Sequence, residues 1–346
     1  MFAVLTTSWP LLLGVMLLMV GNGMQGSLLG IRGAIEGFST FELSLVMSAY
    51  FLGFLGGSRM TPDLIRRVGH VRVFAALASL ISASLVIYPV LPNWFAWTLL
   101  RVCIGFSFSG VYVTAESWLN NQSTNETRGQ TLSFYMIVQM LGIIMSQALL
   151  NVADPSDFTL FVIPSVLVSL AFIPILLTAS TAPVFESAKS MRFKELFIAS
   201  PLGCVGMFVT GGIFSALFGM ASVWGTEAGL SVRDISIFIA SIYVGGLLMQ
   251  YPIGRASDRM DRRIMVTALA LLGFLIAFVV FVFKVPFVGF LAVGFLLGGI
   301  TNPLYSLLIA HTNDFLETDQ MASASSGMIF INGTGAIFGP LITGWM

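Results

Sequence analysis

Eleven stretches of roughly 20 mostly apolar residues, the length that crosses a bilayer as a helix, recur along this chain. They lie near residues 9–30, 42–60, 72–91, 94–118, 129–151, 157–179, 197–224, 232–253, 264–283, 285–310 and 321–344. Short polar segments separate them. Barrel strands would be about ten residues of alternating polarity, whereas these runs are longer and unbroken. The fold class is therefore an all-α polytopic membrane protein. Composition agrees: 57% hydrophobic against 9% charged residues leaves too little polar surface to coat a soluble globule of 346 residues.

No Lys or Arg precedes the first span and no small-residue cleavage site follows it, so it reads as a retained helix rather than a signal peptide. Cys103 and Cys204 both fall inside spans, which excludes a disulfide framework. The scattered methionines read as packing filler rather than a soft-metal pathway, and no cofactor is implied.

The basic residues orient the chain, because Lys and Arg of short loops stay on the cytoplasmic side. With the N-terminus inside, Arg59, Arg66, Arg67, Arg72, Arg128, Lys189, Arg192, Lys194, Arg255, Arg259, Arg262 and Arg263 are cytoplasmic. Arg32, Arg233 and Lys284 lie at the outer side, and Arg101 falls within the fourth span. Net charge is zero, so nothing beyond this bias points to nucleic acid or to an anionic lipid surface. The partners implied are the bilayer itself and a small-molecule solute, with protons as a candidate coupling ion and the monomer as the expected state.

The sequence also repeats. At an offset of 193, Gly105 falls on Gly298, Tyr112 on Tyr305, Asn120 on Asn313 and Gly142 on Gly335; at 192, Gly53 falls on Gly245 and Arg67 on Arg259. Both halves carry a basic loop between their second and third helices, "TPDLIRRVGHVR" (61–72) and "IGRASDRMDRRI" (253–264). Duplicated bundles are common among membrane transporters. The expected organisation is a six-helix bundle over 1–180, a linker over 181–196 and a second bundle over 197–346. By the repeat arithmetic residue 346 corresponds to Ala153, so a twelfth helix is expected and is missing.

Two six-helix halves with basic loops 2–3 and 8–9 resemble the major facilitator superfamily. Its loop signature, G-x-x-x-D-R-x-G-R-R, matches Gly254, Asp258, Arg259, Arg262 and Arg263, with Asp261 in place of the second Gly. The first-half copy is degenerate: Pro62 replaces the first Gly and Arg66 the Asp, while Arg67, Gly69 and Arg72 keep its basic character. The family's Arg-x-x-x-Gly pattern of helix four appears as Arg101 and Gly105, and the helix-five Gly-Pro antiporter signature is absent from "VQMLGIIMSQ". "VTAESWLNNQSTNETRGQTLSFYMIVQMLG" together with "YPIGRASDRMDRR" is similar to the YcaD-like branch. The resemblance implies a transporter in a bacterial inner membrane, its two halves rocking around a central site by alternating access.

The loop residues also have a physical reading of their own. Gly254 permits close helix approach, and Asp258 can hold Arg259 or a nearby helix N-terminus in one conformation. Arg66, Arg67, Glu116, Arg128, Gly254, Asp258, Arg259, Arg262 and Arg263 are therefore expected to form a breakable cytoplasmic latch; the bland alternative is that the arginines only set topology. Glu116 has a second reading, as a transported-proton site. Arg101 costs about 2.5–3.5 kcal/mol in a span. It either faces a partner or a wet cavity, or snorkels to the outer surface.

Candidate substrate-binding residues are Asn22, Gln25, Arg101, Gln139, Tyr243, Asn302, Tyr305 and Asn332, on helices that line the central cavity in the resembled fold. An interhelical hydrogen bond is the competing role for each. With Arg101 as the in-span charge, a small anionic or zwitterionic solute is the expected preference, with an amphipathic drug as the alternative. A serine hydrolase is excluded because Ser109 stands where G-x-S-x-G needs its last Gly, and His70 and His311 lie near the cytoplasmic boundaries. Neither H-E-x-x-H nor a phosphate-binding loop occurs. A receptor or assembly factor with a transporter fold is the alternative to a transporter.

Overall fold

The computed structural model describes residues 2–122, 128–177, 193–257 and 259–346. Its helices are α1 (Phe2–Ile35), α2 (Thr40–Val68), α3 (His70–Val90), α4 (Trp94–Gln122), α5 (Arg128–Leu149), α6 (Thr159–Ala171), α7 (Ile173–Leu176), α8 (Phe193–Ala199), α9 (Pro201–Gly219), α10 (Ala221–Glu227), α11 (Val232–Ser257), α12 (Arg262–Val282), α13 (Phe287–Asn313) and α14 (Thr318–Trp345). Eleven segments among the described residues are long and apolar enough to cross a membrane, one for each run expected from the sequence. The protein is an integral membrane protein.

Local chemistry sets the boundaries. Ser39 and Glu42 form a capping box at the start of α2: Ser39 Oγ accepts from Glu42 N, and Glu42 Oε2 accepts from Ser39 N at 2.8 Å. Asp261 caps α12 by accepting from Arg263 N at 2.8 Å. Gly69, at φ 85°, makes the turn from α2 to α3, a conformation open to glycine at no steric cost. Pro174 starts α7 where the sixth span breaks after Ala171.

Both basic loops are shorter than expected. α2 continues through Pro62 to Val68, and α11 through Pro252 to Ser257, so most of each "loop" is helix. The seventh span is also interrupted, at Met220 between α9 and α10. Of the expected linker only its end is described, as the start of α8.

The repeat seen in the sequence reappears as packing. Gly53 and Gly105 each press against the other helix's backbone: a methyl group on Gly53 would meet the Val102 carbonyl, and one on Gly105 the Tyr50 carbonyl. In the second half Gly245 meets Phe295 and Gly298 meets Ile242 in the same reciprocal way, joining α11 to α13 as α2 is joined to α4. Removing Cβ lets two backbones approach closely enough for dispersion and Cα–H···O contact, which drives helix association where no hydrophobic effect operates.

Each half has its own apolar core. The first centres on Met24, Leu28, Phe74, Tyr88, Trp97, Phe108 and Phe161; the second on Leu196, Met207, Leu308 and Met328. Polar side chains tie helices within a half: Ser82 with Ser165 and Ser169 joins α3 to α6, and Ser27 donates to Gln147 at 3.0 Å to join α1 to α5. α12 turns Leu271, Phe274, Phe278 and Phe281 outward, the apolar exterior that a lipid-facing helix needs.

Candidate functional site

Contacts between the halves gather at one end of the molecule. Thr40 Oγ1 donates to Glu227 at 3.2 Å, joining the start of α2 to the end of α10. Asn151 beyond α5 donates to Ser236 on α11 at 3.2 Å. Gly30 of α1 abuts Ser222 of α10, and Gly344 of α14 abuts Ser44 of α2. The α2–α14 seam runs farther, through Ser48 Oγ to the Ile337 carbonyl at 2.8 Å and on to Arg59, whose guanidinium lies 5.7 Å from the Phe330 ring. Toward the opposite end, among the described residues, α4 makes no extensive contact with α13 or α14. The chamber between the halves is thus closed at the end that carries Thr40, Asn151 and Glu227.

Aromatic rings line this chamber from both sides. Tyr50 and Phe54 come from α2, and Phe108 and Tyr112 from α4, with ring centroids 6.1–6.5 Å apart across the Tyr50–Phe108, Phe54–Tyr112 and Phe108–Tyr112 pairs. Facing them, Tyr243 of α11 stacks at 4.5 Å on Phe218 of α9, which in turn meets Phe214 at 4.2 Å. Asn22 Nδ2 bonds Tyr112 Oη at 3.3 Å, Tyr112 donates to Met19 Sδ at 3.2 Å, and Gln25 reaches the Asn22 carbonyl oxygen at 3.5 Å.

Glu116 sits one turn beyond Tyr112 on α4 and is exposed. Its neighbours are phenols: Tyr135 of α5, Tyr112, and Tyr305 of α13. Tyr135 is 1% exposed, with its hydroxyl directed at the Glu116 carboxylate. Among the described residues no basic group pairs with Glu116, so its carboxylate meets tyrosines where a charge pair was expected. The side chain of Arg128, the expected partner, is outside the described residues.

Arg101 meets partners inside its span. It is 5% exposed, so it does not snorkel to the outer surface. Its guanidinium lies 4.8 Å from the Tyr50 ring and donates to Met47 Sδ at 3.5 Å, with Tyr88 on its other side. No carboxylate pairs with it among the described residues, and Nε has no partner. A desolvated cation–π contact contributes about 2 kcal/mol, against an insertion cost of about 2.5–3.5 kcal/mol. The ring therefore offsets most of that cost, and Tyr50 stands between Arg101 and the chamber.

The remaining candidates divide. Asn22, Tyr243 and Tyr305 are half-buried, whereas Gln25 is fully buried against Asn22. Asn302 fills the space at Gly246 between α11 and α13, and Asn332 donates to the Met207 carbonyl at 3.0 Å while its backbone abuts Gly211 of α9. Both asparagines serve helix packing. Gln139 makes its one side-chain bond among the described residues to Met136 Sδ, at 3.9 Å. The first-half sites missed by sequence reasoning are Tyr50, Phe54 and Tyr135; the i, i+4 spacing of Tyr112 and Glu116 was the available signal.

At the basic loops the described residues show only part of the expected latch. Arg262 pairs with Asp314 at the end of α13, and Arg263 lies 5.5 Å from the Phe315 ring. Arg66 pairs with Asp63 on its own helix at 3.0 Å, and Arg67 is exposed. Gly254 has open space where a Cβ would project, so it makes no close helix approach. Asp258, the signature carboxylate, lies outside the described residues, and Arg259 is in the turn that follows, its N–H bonding the Ala256 carbonyl at 3.1 Å.

The Major Facilitator Superfamily profile matches residues 11–240 and 203–346. The uncharacterized MFS-type transporter YcaD of Escherichia fergusonii is 24% identical over 338 residues, covering 96% of this chain and 87% of the relative. An uncharacterized MFS-type transporter of Enterobacter sp. strain 638 is 26% identical over 348 residues, covering 98% and 89%. Among solved structures, a point-mutant form of the nucleoside transporter NupG aligns with a TM-score of 0.84 at 14% identity, over 98% of this chain and 90% of its own. A bacterial homologue of the lysosomal transporter Spinster, inward-facing and unoccupied, aligns with a TM-score of 0.78 at 15% identity, over 97% and 81%. A helical bundle with this packing and a profile match along nearly its whole length leave one assignment: the chain belongs to the Major Facilitator Superfamily.

Proposed function

We propose that this protein is a secondary active transporter that carries a small solute across a bacterial inner membrane by alternating access, with its N-terminus and open end cytoplasmic. The observation that carries the reading is the asymmetry of the contacts between the halves, which among the described residues meet at one end through Thr40–Glu227 and Asn151–Ser236 while α4 makes no extensive contact with α13 or α14. Those seals combine hydrogen bonds contributing about 0.5–1.5 kcal/mol each with an apolar cluster of Ile31, Ala221, Ile235 and Ile239. An interface of that kind separates as a rigid body and re-forms.

Proton coupling belongs to the same reading, with Glu116 as the carboxylate that reaches the chamber. Two transporters share the fold at low identity, which supports the architecture without naming a solute. Counterflow in proteoliposomes tests the proposal: external unlabelled solute should accelerate exit of preloaded labelled solute, and collapse of an imposed pH gradient should stop accumulation. A solute that binds tightly yet shows no counterflow would leave a receptor or assembly factor as the function.

A further inference from the structure

Away from the chamber, a cavity of about 480 Å³ lies where α12 begins and α13 ends. Both carboxylates in its lining are engaged. Asp314 pairs with Arg262 across the two helices. Asp261 accepts from Arg263 N at 2.8 Å, turned onto the N-terminus of α12, where negative charge is favoured. Two donor side chains are left over. The Arg263 guanidinium lies 5.5 Å from the Phe315 ring and pairs with no carboxylate among the described residues. His311 is 5% exposed and sets its ring edge-on to Phe315 at 5.0 Å, with no hydrogen bond at its nitrogens among the described residues. A guanidinium offers five N–H donors and an imidazole at least one.

The surroundings of this polar cavity are apolar. Met260 and Phe315 stand exposed at its rim. From Ile264, next to Arg263, an exposed stripe continues through Leu271, Leu275, Phe278 and Val282, the spacing of one face at 3.6 residues per turn. Arg262 starts one membrane-spanning segment and Asn313 ends another, which sets the cavity at the edge of the bilayer. α12 is also the least buried span among the described residues. An apolar track in the lipid thus leads to a cavity with spare cationic donors. A free anion could use only the cavity; an amphiphile with an anionic head uses both. Arginine suits phosphate through its planar fork, and a basic residue at the membrane surface contributes about 1 kcal/mol toward anionic lipid. Zero net charge over the whole chain hides the local excess, in which Arg255, Arg259, Arg262 and Arg263 follow one another closely.

We infer that this cavity binds the phosphate of an anionic phospholipid, with Arg263 and His311 as its donors and an acyl chain along the Ile264 to Val282 face of α12. The phosphate joins α12 to α13 beside the Arg262–Asp314 pair and leaves that pair intact. Because the site lies outside the chamber and fills without transport, it goes beyond the transporter reading and does not depend on it.

Native mass spectrometry of the delipidated full-length chain tests this. The probes are dioleoylphosphatidylglycerol, dioleoylphosphatidylcholine with the same acyl chains, and glycerol phosphate as the free anion. Phosphatidylglycerol should bind with Kd at least about fivefold lower than phosphatidylcholine, and glycerol phosphate should not bind at the same concentrations. Arg263→Gln should weaken phosphatidylglycerol binding about fivefold, the equivalent of one basic contact, and leave phosphatidylcholine unchanged. Arg255→Gln, at an exposed position outside the cavity, should leave both unchanged. His311→Phe keeps a ring against Phe315 but removes the donor; it should cost a few-fold, and it replaces Arg263→Gln if that variant does not fold. Equal affinity for the two lipids, an equal loss in Arg255→Gln, or no loss in the cavity variants would overturn the inference in favour of diffuse surface charge. Glycerol phosphate binding as tightly as the lipid would overturn it in favour of a soluble anion.

Discussion

The guanidinium of Arg101 lies 4.8 Å from the centre of the Tyr50 ring, joining α4 to α2 within the first half. A planar cation on an aromatic face is a contact that lysine reproduces poorly, because its ammonium is compact and strongly hydrated. Arg101→Lys should therefore lower the thermal unfolding midpoint, and Arg101→Ala should lower it further, at a cost of about 2 kcal/mol. Tyr50→Leu should lower it as well, and the double variant should lose less than the sum of the two singles. Strict additivity in that cycle would mean that the pair does not interact.

How much was legible follows from which physical signal each feature leaves. Span count and class were readable because twenty apolar residues have few other uses. The repeat was readable at Gly53, Gly105, Gly245 and Gly298 because backbone contact between helices admits no side chain. Side-chain direction was not readable. Asn302 and Tyr305 are three residues apart on α13, yet one fills the interface with α11 and the other packs against the second apolar core. Arg101 was singled out by its charge, but only the position of Tyr50 reveals that an aromatic ring shields it.

Those glycines give a second prediction. Replacing Gly105 with Val would drive a branched side chain into the Tyr50 carbonyl, and Gly298→Val would do the same at Ile242. Overpacking costs about 1–3 kcal/mol where neighbours can shift, and more where the obstacle is backbone. Both variants should reach the membrane at reduced levels and unfold at lower temperature. Gly254→Val, which meets open space, should behave like the wild type in the same fluorescence size-exclusion measurement.

The loop after α5 carries a pH-sensitive turn. Asp154 Oδ1 accepts from Ser156 N at 2.8 Å and from Ser156 Oγ at 2.7 Å. These bonds, with a smaller pull from Arg32, hold its carboxyl below the usual aspartate range. Lowered in the fold relative to the unfolded chain, its pKa makes the turn's contribution complete above about pH 4 and lost as pH falls below that. Asp154→Asn should therefore unfold at a lower temperature than the wild type at pH 7, and the difference should shrink as the pH is lowered below about 4. Arg32 also binds the carbonyls of Pro155 and Ser156, so Arg32→Ala should loosen the same loop at both pH values.

Asn151 and Ser236 meet across the closed end at 3.2 Å, and that contact must break if the chamber is to open on its other side. Cysteines at these positions, in a background with Cys103→Ala and Cys204→Ala, would lie close enough to cross-link. Oxidation should then hold the chamber in its present form. Solute binding from the open end should persist, because Glu116 and the tyrosines lie away from the link, while transport should stop and return on reduction. Binding and transport separate only under alternating access: a fixed pore would conduct in both states. Continued counterflow by fully cross-linked protein would therefore exclude rocking about this chamber and leave the seal at Asn151 with a purely structural role.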